Sequence, residues 1–352
     1  MKKVLLLTLL PVAAMATSIK GIGENYQDWD LICDNLGTCR MAGYQEGDGS
    51  EHPVSILFTR AAGENAVVEG KLTILPLGDD RDIQVGQDIE IWLNGKSLGK
   101  VKHISDDAPD KLTEEQTKAL LSGLKKESEI RLTYGKTTLK VSDKGAAAAM
   151  LKMDEFQQRL NTPSALIRQG QEKHAVLAPQ AAPKIQVAYI KNPSKTELKR
   201  GEKQFNAVLA LLRKSANSSA SDDCADLHDD SEQKTITLYS LTQGKVLAEA
   251  VCISGSAAYT GYYAVMDNKL SKVEQVLENQ YTFARYDEKL NALIVEGSYK
   301  SSGLAESWYG YEAAWNGKTF ITTAEYTSGS GKGFIGGAWG GLPTFVSEIN
   351  VK

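Results

Sequence analysis

The sequence predicts a mainly β protein with a minority of helix, built from two β-rich domains that are sandwich-like or barrel-like and carry one or two helices each. Short apolar segments of strand length recur along the chain, bounded by Gly, Pro, Asn and Asp turn signals. With 352 residues, the chain is too long for one comfortable hydrophobic core. We therefore predict a signal peptide at 1–16, an N-terminal β-sandwich-like domain at 17–174, a linker at 175–184 and a C-terminal antiparallel β domain at 185–352.

Residues 1–16 have the pattern of a secretory signal peptide. Lys2 and Lys3 precede a short apolar run, and Ala14-Met15-Ala16 supplies small residues at the end of it. We expect cleavage after Ala16 and export to a bacterial periplasm. The apolar run is too short to persist as a transmembrane helix, and no later segment predicts a membrane span.

The charge pattern bears on whether the protein binds nucleic acid. The full chain has a net charge of −4, and removal of Lys2 and Lys3 would make it −6. Acidic and basic residues are mixed along the chain without a basic stripe, which argues against a nucleic-acid-binding protein.

The predicted N-terminal domain alternates strands with turns and contains two helices. Thr113 and Gln116 form a capping-box pattern that opens a helix ending near Lys126, and an alanine-rich helix is predicted at 146–160. Asn94-Gly95 is a strong signal for a tight hairpin turn. The predicted strands are Trp29–Cys33, Thr38–Tyr44, Val54–Thr59, Val67–Leu77, Ile89–Leu93, Lys100–Ile104, Glu129–Tyr134 and Thr137–Val141.

A proline- and alanine-rich stretch separates this region from the predicted C-terminal domain. There a strand at Lys184–Ile190 and a helix at 199–213 precede a series of strands, which predicts an antiparallel meander that closes into a sandwich or barrel. These strands are Thr235–Ser240, Val246–Ser254, Tyr259–Met266, Tyr281–Asp287, Ala292–Tyr299, Glu306–Trp315, Thr319–Tyr326 and Thr344–Val351.

The chain has four cysteines, which the expected export places in an oxidising compartment. Three pairings are possible, and proximity in sequence favours Cys33–Cys39 and Cys224–Cys252. The two cysteines of "CDNLGTC" could form a structural disulfide, a zinc site or a redox pair. Zinc sites favour closer spacing and a second Cys or His pair, and thioredoxin-like sites favour Cys-x-x-Cys at a helix start. We therefore predict a structural disulfide that closes a hairpin.

Other chemical motifs are incomplete. The acidic loop 222–230, which also contains His228, has aspartate carboxylates that suit calcium, but it lacks EF-hand spacing, so a solvated loop of undefined role is favoured. "GSGKGFIGG" lacks the first glycine and the hydroxyl residue of a phosphate-binding loop, which predicts a flexible hairpin loop. None of the four histidines, His52, His103, His174 and His228, lies in a catalytic motif. We predict no catalytic, cofactor-binding or metal-ligating residue.

The C-terminal region is rich in aromatic residues, which favours core packing and leaves open an aromatic groove for a glycan or peptide. These residues are Tyr259, Tyr262, Tyr263, Trp308, Tyr309, Tyr311, Trp315 and Trp339.

Three stretches resemble a known family of proteobacterial exported proteins, domain of unknown function 1176. They are "DWDLICDNLGTCRMAGY", "MLKMDEFQQRLNTPSALIRQG" and the tail around "AWNGKTF". The first half is also similar, more distantly, to invasion-associated locus B proteins. The resemblance implies an exported protein with an N-terminal β-sandwich, no enzymatic activity and a role at the envelope.

The tail departs from the family pattern, because a cysteine pair that the family commonly carries there is missing from "SSGLAES" and "GSGKGFIGG". We expect packing by Trp308, Trp315, Phe320 and Trp339 to replace that bridge.

The most family-specific polar cluster is "MDEFQQR". The predicted helix continues to Leu160. On such a helix a possible recognition surface is formed by Asp154, Glu155, Gln158 and Arg159, and Glu155 and Arg159 form an i, i+4 ion pair. A contact to the neighbouring domain is a second functional interpretation, and the favoured interpretation is a brace at the helix end that holds the segment up to Gly170.

Taken together, these features predict an exported periplasmic protein, non-enzymatic, that binds a partner or associates with the envelope. The expected partner is an envelope protein or glycan rather than nucleic acid. The alternative is a periplasmic hydrolase acting on envelope material, which requires titratable residues that only the fold brings together.

Overall fold

The computed structural model describes residues 19–47, 53–75, 83–218, 224–255, 259–278, 281–300 and 307–352. Strands make up 44% and α-helices 13%, with five sheets and three α-helices among the described residues, so the predicted mainly β class is confirmed. The predicted signal peptide, with Ala16, lies outside the described residues. No helix in the described part is long and apolar enough to cross a membrane.

The first half forms two antiparallel sheets that enclose one core. The first sheet has the order β1-β2-β3-β4-β5-β8, and the second has the order β10-β9-β6-β7. The strands are β1 Ile22–Tyr26, β2 Trp29–Cys33, β3 Cys39–Tyr44, β4 Val54–Arg60, β5 Val68–Ile74, β6 Asp88–Leu93, β7 Lys96–Lys102, β8 Asp110–Lys111, β9 Ile130–Tyr134 and β10 Thr137–Val141. Trp29 and Phe58 stack inside this core, which residues of both sheets and both helices share.

The two helices of this half are α1 Glu114–Gly123 and α2 Ala146–Phe156. Thr113 caps α1 with the predicted capping box, because its hydroxyl accepts from Gln116 N and the Gln116 side chain accepts from Thr113 N. Asn94 and Gly95 both have positive φ and join β6 to β7, as the hairpin signal predicted.

The second half is a helix packed on a pair of sheets. One sheet has the order β12-β13-β14-β15-β16, the other has the order β17-β18-β19-β20-β21, and β11 pairs in parallel with β22. Helix α3, Lys203–Ser218, packs on one face of the first sheet, and the opposite face packs against the second sheet. The strands are β11 Lys184–Val187, β12 Lys195–Lys199, β13 Thr235–Ser240, β14 Lys245–Ser254, β15 Tyr259–Asp267, β16 Val273–Val276, β17 Phe283–Asp287, β18 Ala292–Lys300, β19 Trp308–Trp315, β20 Phe320–Thr327, β21 Leu342–Val346 and β22 Glu348–Val351.

The predicted limits of helices α2 and α3 were wrong. Helix α3 begins at Lys203 rather than Lys199, because residues up to Lys199 pair with β13 as strand β12, and it extends to Ser218 rather than ending at Arg213. Helix α2 ends at Phe156 rather than Leu160, because the chain turns there and Gln158 takes a positive φ. The domain limits at 174 and 185 stay a prediction, and residues 171–183 form neither helix nor strand.

Residues 328–342, called here the docking segment, join the two halves. The Lys332 ammonium lies 2.8 Å from Asp28, and Ser330 N and Oγ donate to Asp30 at 2.5 and 2.8 Å. Trp339 Nε1 donates to Ser55 Oγ at 2.9 Å. The stretch "GSGKGFIGG" does connect the antiparallel strands β20 and β21, as the predicted hairpin loop requires. The expectation of a flexible loop was wrong, because this segment packs on the first sheet through a mixed apolar cluster of both halves.

His103 makes the stability of the first half depend on pH. Its Nδ1 lies 2.9 Å from Asp110 and its Nε2 lies 3.0 Å from Asp106. Burial opposes the charged form, but the two carboxylates outweigh it and raise the pKa of His103 above 6.5. Because the folded state binds the proton more tightly, this contribution is complete below pH 6.5 and is lost as pH rises through the raised pKa.

We expect the free energy of unfolding of the native chain to fall across that range relative to His103→Gln, which cannot titrate. Chemical denaturation of both proteins at several pH values measures the difference. Parallel pH profiles for the two proteins would contradict this assignment.

Candidate ligand-binding site

The "MDEFQQR" cluster forms a buried brace. Asp154 is fully buried, pairs with the Arg60 guanidinium at 2.7 Å, and accepts hydrogen bonds from Leu166 N and Ile167 N. Gln157 Oε1 accepts from Arg60 Nε at 2.6 Å and from Arg159 Nε at 3.2 Å. The cluster thus ties the end of α2 to β4 and to the segment that follows the helix.

The brace corrects the predicted recognition surface at two of its four positions. Arg159 is fully buried and donates to Ser164 Oγ and Gly63 O, so it does not form the predicted pair with Glu155. Asp154 is equally inaccessible, whereas Glu155 and Gln158 are exposed. The predicted helical spacing fails because α2 ends before Gln158 and Arg159.

Disulfides join Cys33 to Cys39 and Cys224 to Cys252, the pairing that sequence proximity favoured. Cys33 and Cys39 are directly opposite each other at the β2–β3 hairpin. The second bond ties the acidic loop to β14.

The acidic loop is held by protein contacts in its described part. Asp226 accepts from Ser254 N and Oγ, and Asp230 pairs with Arg213 at 2.8 Å. Asp222 and Asp223 lie outside the described residues. Within the described ranges, no three His, Cys, Asp or Glu side chains are arranged to hold a metal ion.

The described histidines have separate surroundings. His103 lies between two aspartates, His174 contacts Gln158 O, and His228 belongs to a 3-10 turn at Ala225–His228. His52 lies outside the described residues. The structure therefore presents no shared pocket of these three histidines.

The candidate site with the most exposed aromatic surface lies on the outer face of the second C-terminal sheet. Register places Glu296 of β18 opposite Glu312 of β19, and Gly310 of β19 opposite Tyr326 of β20. Side chains alternate along a strand, so Trp308, Gly310 and Glu312 share this face, while Tyr309 points to the other. We call this surface the aromatic face.

Two adjoining grooves shape the aromatic face, and both are lined by Tyr326. One, of about 300 Å³, is called the Trp308 groove and is lined by Phe283, Glu296, Ser298, Lys300, Trp308 and Tyr326. The other, of about 420 Å³, is called the Pro343 groove and includes Glu312, Ala324, Pro343, Phe345 and Val346.

A glycine allows the aromatic rings to cover the sheet. A Cβ on Gly310 would lie 2.1 Å from the Tyr326 ring, so this ring rests against the Gly310 backbone. Trp308 meets Tyr326 edge to face, with 5.3 Å between ring centroids, and its Nε1 donates to Gly336 O at 3.0 Å. Phe283, on the next-but-one strand, is 47% exposed. The rings form a fixed and partly exposed apolar platform.

Carboxylates border this platform. Arg285 Nε lies 2.5 Å from Glu296, and Arg285 NH1 lies 3.3 Å from Asp287. Burial raises the pKa of the Glu312 carboxyl, and the negative charge of Glu296 raises it further. Burial also raises the pKa of Tyr326, with the charges of Glu312 and Glu296 adding to the effect.

The predicted aromatic residues divide between core and surface. Tyr262, Tyr263, Trp315 and Trp339 are buried, while Tyr259 and Tyr309 are exposed. Phe320 packs on Trp315, with 5.5 Å between ring centroids. Sequence reasoning identified Trp308 but missed Phe283, Glu296, Glu312 and Tyr326. Alternation along the strands was an available signal, but the strand register that joins them was not.

A third groove, of about 430 Å³, lies where the docking segment meets the first half, beside Lys71, Asp106, Asp107, Phe334 and Trp339. We call it the inter-half groove. Because Phe334 and Trp339 are buried, it offers less exposed aromatic surface than the aromatic face does.

The family described as protein of unknown function (DUF1176) matches residues 23–346, which include both halves and the aromatic face. No curated protein and no solved structure matches the chain. This match agrees with the resemblance found in "DWDLICDNLGTCRMAGY" and "MLKMDEFQQRLNTPSALIRQG". The chain belongs to the DUF1176 family.

Proposed function

We propose that this is an exported periplasmic protein that binds a glycan of the cell envelope without catalysing a reaction, and that the ligand lies on the aromatic face. The observation that carries this proposal is the platform of Trp308 and Tyr326, fixed edge to face over Gly310. Sugar rings have apolar C–H faces that pack on exposed aromatic rings, and their hydroxyl groups form hydrogen bonds with bordering carboxylates.

The direction of the Trp308 groove favours a glycan over a peptide. The Trp308 groove crosses strands β17 to β20 instead of following one free strand edge. A peptide that extends a sheet binds along an edge strand through main-chain hydrogen bonds. A chain of sugar rings laid across the strands contacts Phe283, Trp308 and Tyr326 in turn.

Two features support export. The first sixteen residues have the order of charge, apolar run and small residues that is typical of a signal peptide. All four cysteines are paired in disulfides, which persist in oxidising compartments such as the periplasm.

One observation favours the hydrolase alternative. Glu296 and Glu312 are directly opposite each other on neighbouring strands, and glycoside hydrolases use a pair of carboxylates. To distinguish hydrolysis from binding alone, envelope glycans are incubated with the protein and then assayed for new reducing ends. New reducing ends would indicate hydrolysis.

The binding proposal is tested with Trp308→Ala. We expect the native chain to bind isolated peptidoglycan or N-acetylglucosamine oligosaccharides, and the variant to bind about tenfold or more weakly, since buried aromatic anchors dominate binding energy. Co-sedimentation and titration calorimetry measure the two affinities.

Tyr309→Ala is the matched control, because Tyr309 is the adjacent aromatic residue on the opposite face and is 59% exposed. We expect this variant to bind like the native chain. Equal loss in the two variants, or no glycan binding by the native chain, would contradict the proposal.

A further inference from the structure

We infer that the preferred ligand of the aromatic face is a glycan that carries a free cationic amino group, with Glu312 as its ionic partner. This inference rests on the proposed function, because it names the class of glycan that the same site takes. The observation that supports it is the Glu312 carboxylate, which is half-buried on the aromatic face and has no ion pair with a described residue.

The Glu312 carboxylate forms no hydrogen bond or ion pair with any other described residue, although the side chain is half-buried and lines the Pro343 groove. Its cross-strand neighbour is Glu296, and like charges directly opposite each other destabilise a sheet. Burying a carboxylate without a partner also costs free energy. A cation supplied by a ligand would remove both penalties.

Neither described cation beside the Glu296–Glu312 row forms an ion pair with Glu312. Arg285 pairs with both Glu296 and Asp287, so its attraction for Glu312 only partly offsets the burial and the Glu296 charge that raise the pKa of Glu312. Lys300 lies opposite Trp308, four residues along β18 from Glu296, and is exposed to solvent. Among the described residues of the aromatic face, the half-buried charge without an ion pair is therefore that of Glu312.

The aromatic rings favour the same ligand. The Tyr326 ring lies between Trp308 and the Glu296–Glu312 row, and a cation over the face of Trp or Tyr is attracted by the ring. An amino sugar combines the apolar ring face that the platform accepts with the ammonium group that Glu312 requires. A neutral acetylated sugar offers only the first of these.

Release of a proton from Glu312 on ligand binding gives a second way to test this inference. Because burial and the charge of Glu296 favour the protonated form of Glu312, an ammonium group that binds beside it displaces a proton. The facing groups are Glu296, Asp287, Arg285 and Tyr326, and of these only Glu296 lies opposite Glu312 in the strand register. The heat of binding should therefore depend on the ionisation heat of the buffer.

The experiment compares glucosamine and N-acetylglucosamine oligosaccharides of equal length by titration calorimetry, at a mildly acidic pH where the amines are protonated. We expect the native chain to bind the glucosamine oligosaccharide about tenfold or more tightly, since a hydrogen bond between two charged groups is stronger than the neutral one that the acetylated sugar can form. Glu312→Gln, which keeps the side-chain shape, should abolish the preference and the proton release.

Glu197→Gln is the matched control, because Glu197 is an exposed strand glutamate on the other sheet of the second half and lines neither groove of the aromatic face. It should keep the preference. Equal affinity of the native chain for both sugars, with loss of both in Trp308→Ala, would overturn this inference and leave the proposed function standing. Failure of the native chain to bind either sugar would overturn both.

Discussion

Asp154→Ala is expected to lower the free energy of unfolding by about 3–5 kcal/mol, because it removes one partner of a buried ion pair. Arg60 is 2% exposed and would keep its charge without Asp154, beside a second buried guanidinium, that of Arg159. Burial already lowers the pKa of Arg60, and the Asp154 carboxylate opposes that effect. The amides of Leu166 and Ile167 would also lose their acceptor. Urea denaturation measures the change.

Glu155→Ala is the control for this prediction. Glu155 is the next residue on the same helix, its side chain is 58% exposed, and within the described part of the chain it pairs only with Lys152 on the surface. Its replacement should change stability by no more than about 0.5 kcal/mol. Similar losses in the two variants would show that the buried brace does not stabilise the fold as argued.

Trp339→Ala is expected to destabilise the contact between the halves by about 3–5 kcal/mol, the usual cost of truncating a buried large aromatic residue. Trp339 is 5% exposed, belongs to the apolar cluster shared by both halves, and donates to Ser55 Oγ. Hydrogen exchange should increase in the docking segment and in β3 and β4, which it covers.

Ile335→Ala tests whether any change in the docking segment has this effect. Ile335 is in the same segment but is 66% exposed, so its loss should leave exchange unchanged. If Trp339→Ala also leaves exchange in β3 and β4 unchanged, the segment does not hold the two halves together.

Local patterns predicted much of the fold. Alternating apolar residues identified most strands, the Thr113 capping box identified the start of α1, and Asn94-Gly95 identified a hairpin. These signals act over a few residues, where backbone sterics and side-chain hydrogen bonds decide the conformation.

Long-range contacts explain the failures. "GSGKGFIGG" has the composition of a mobile loop, but contacts to Asp28 and Asp30, about three hundred residues earlier in the chain, fix it in place. Arg159 has helical spacing from Glu155, but buried acceptors near Gly63 draw it inward after α2 ends. Neither partner is evident from the neighbouring sequence.

Local sequence patterns also could not predict the candidate site, because long-range strand pairing assembles it. Trp308 was recognisable as an aromatic residue, but its position beside Tyr326, Glu296 and Glu312 depends on the registers of three strand pairs. A shift of one residue in any register would move a side chain to the opposite face. The site therefore became visible only in the folded sheet.

The central claim is that glycan binds on the aromatic face. Its most direct test is a titration of the isotope-labelled full chain with a glucosamine oligosaccharide, followed by nuclear magnetic resonance. We predict shifts of the Trp308 indole N–H and of amides near Gly310 and Tyr326, with little change around Trp339. Shifts confined to the inter-half groove, or no shifts at saturating sugar, would contradict the claim.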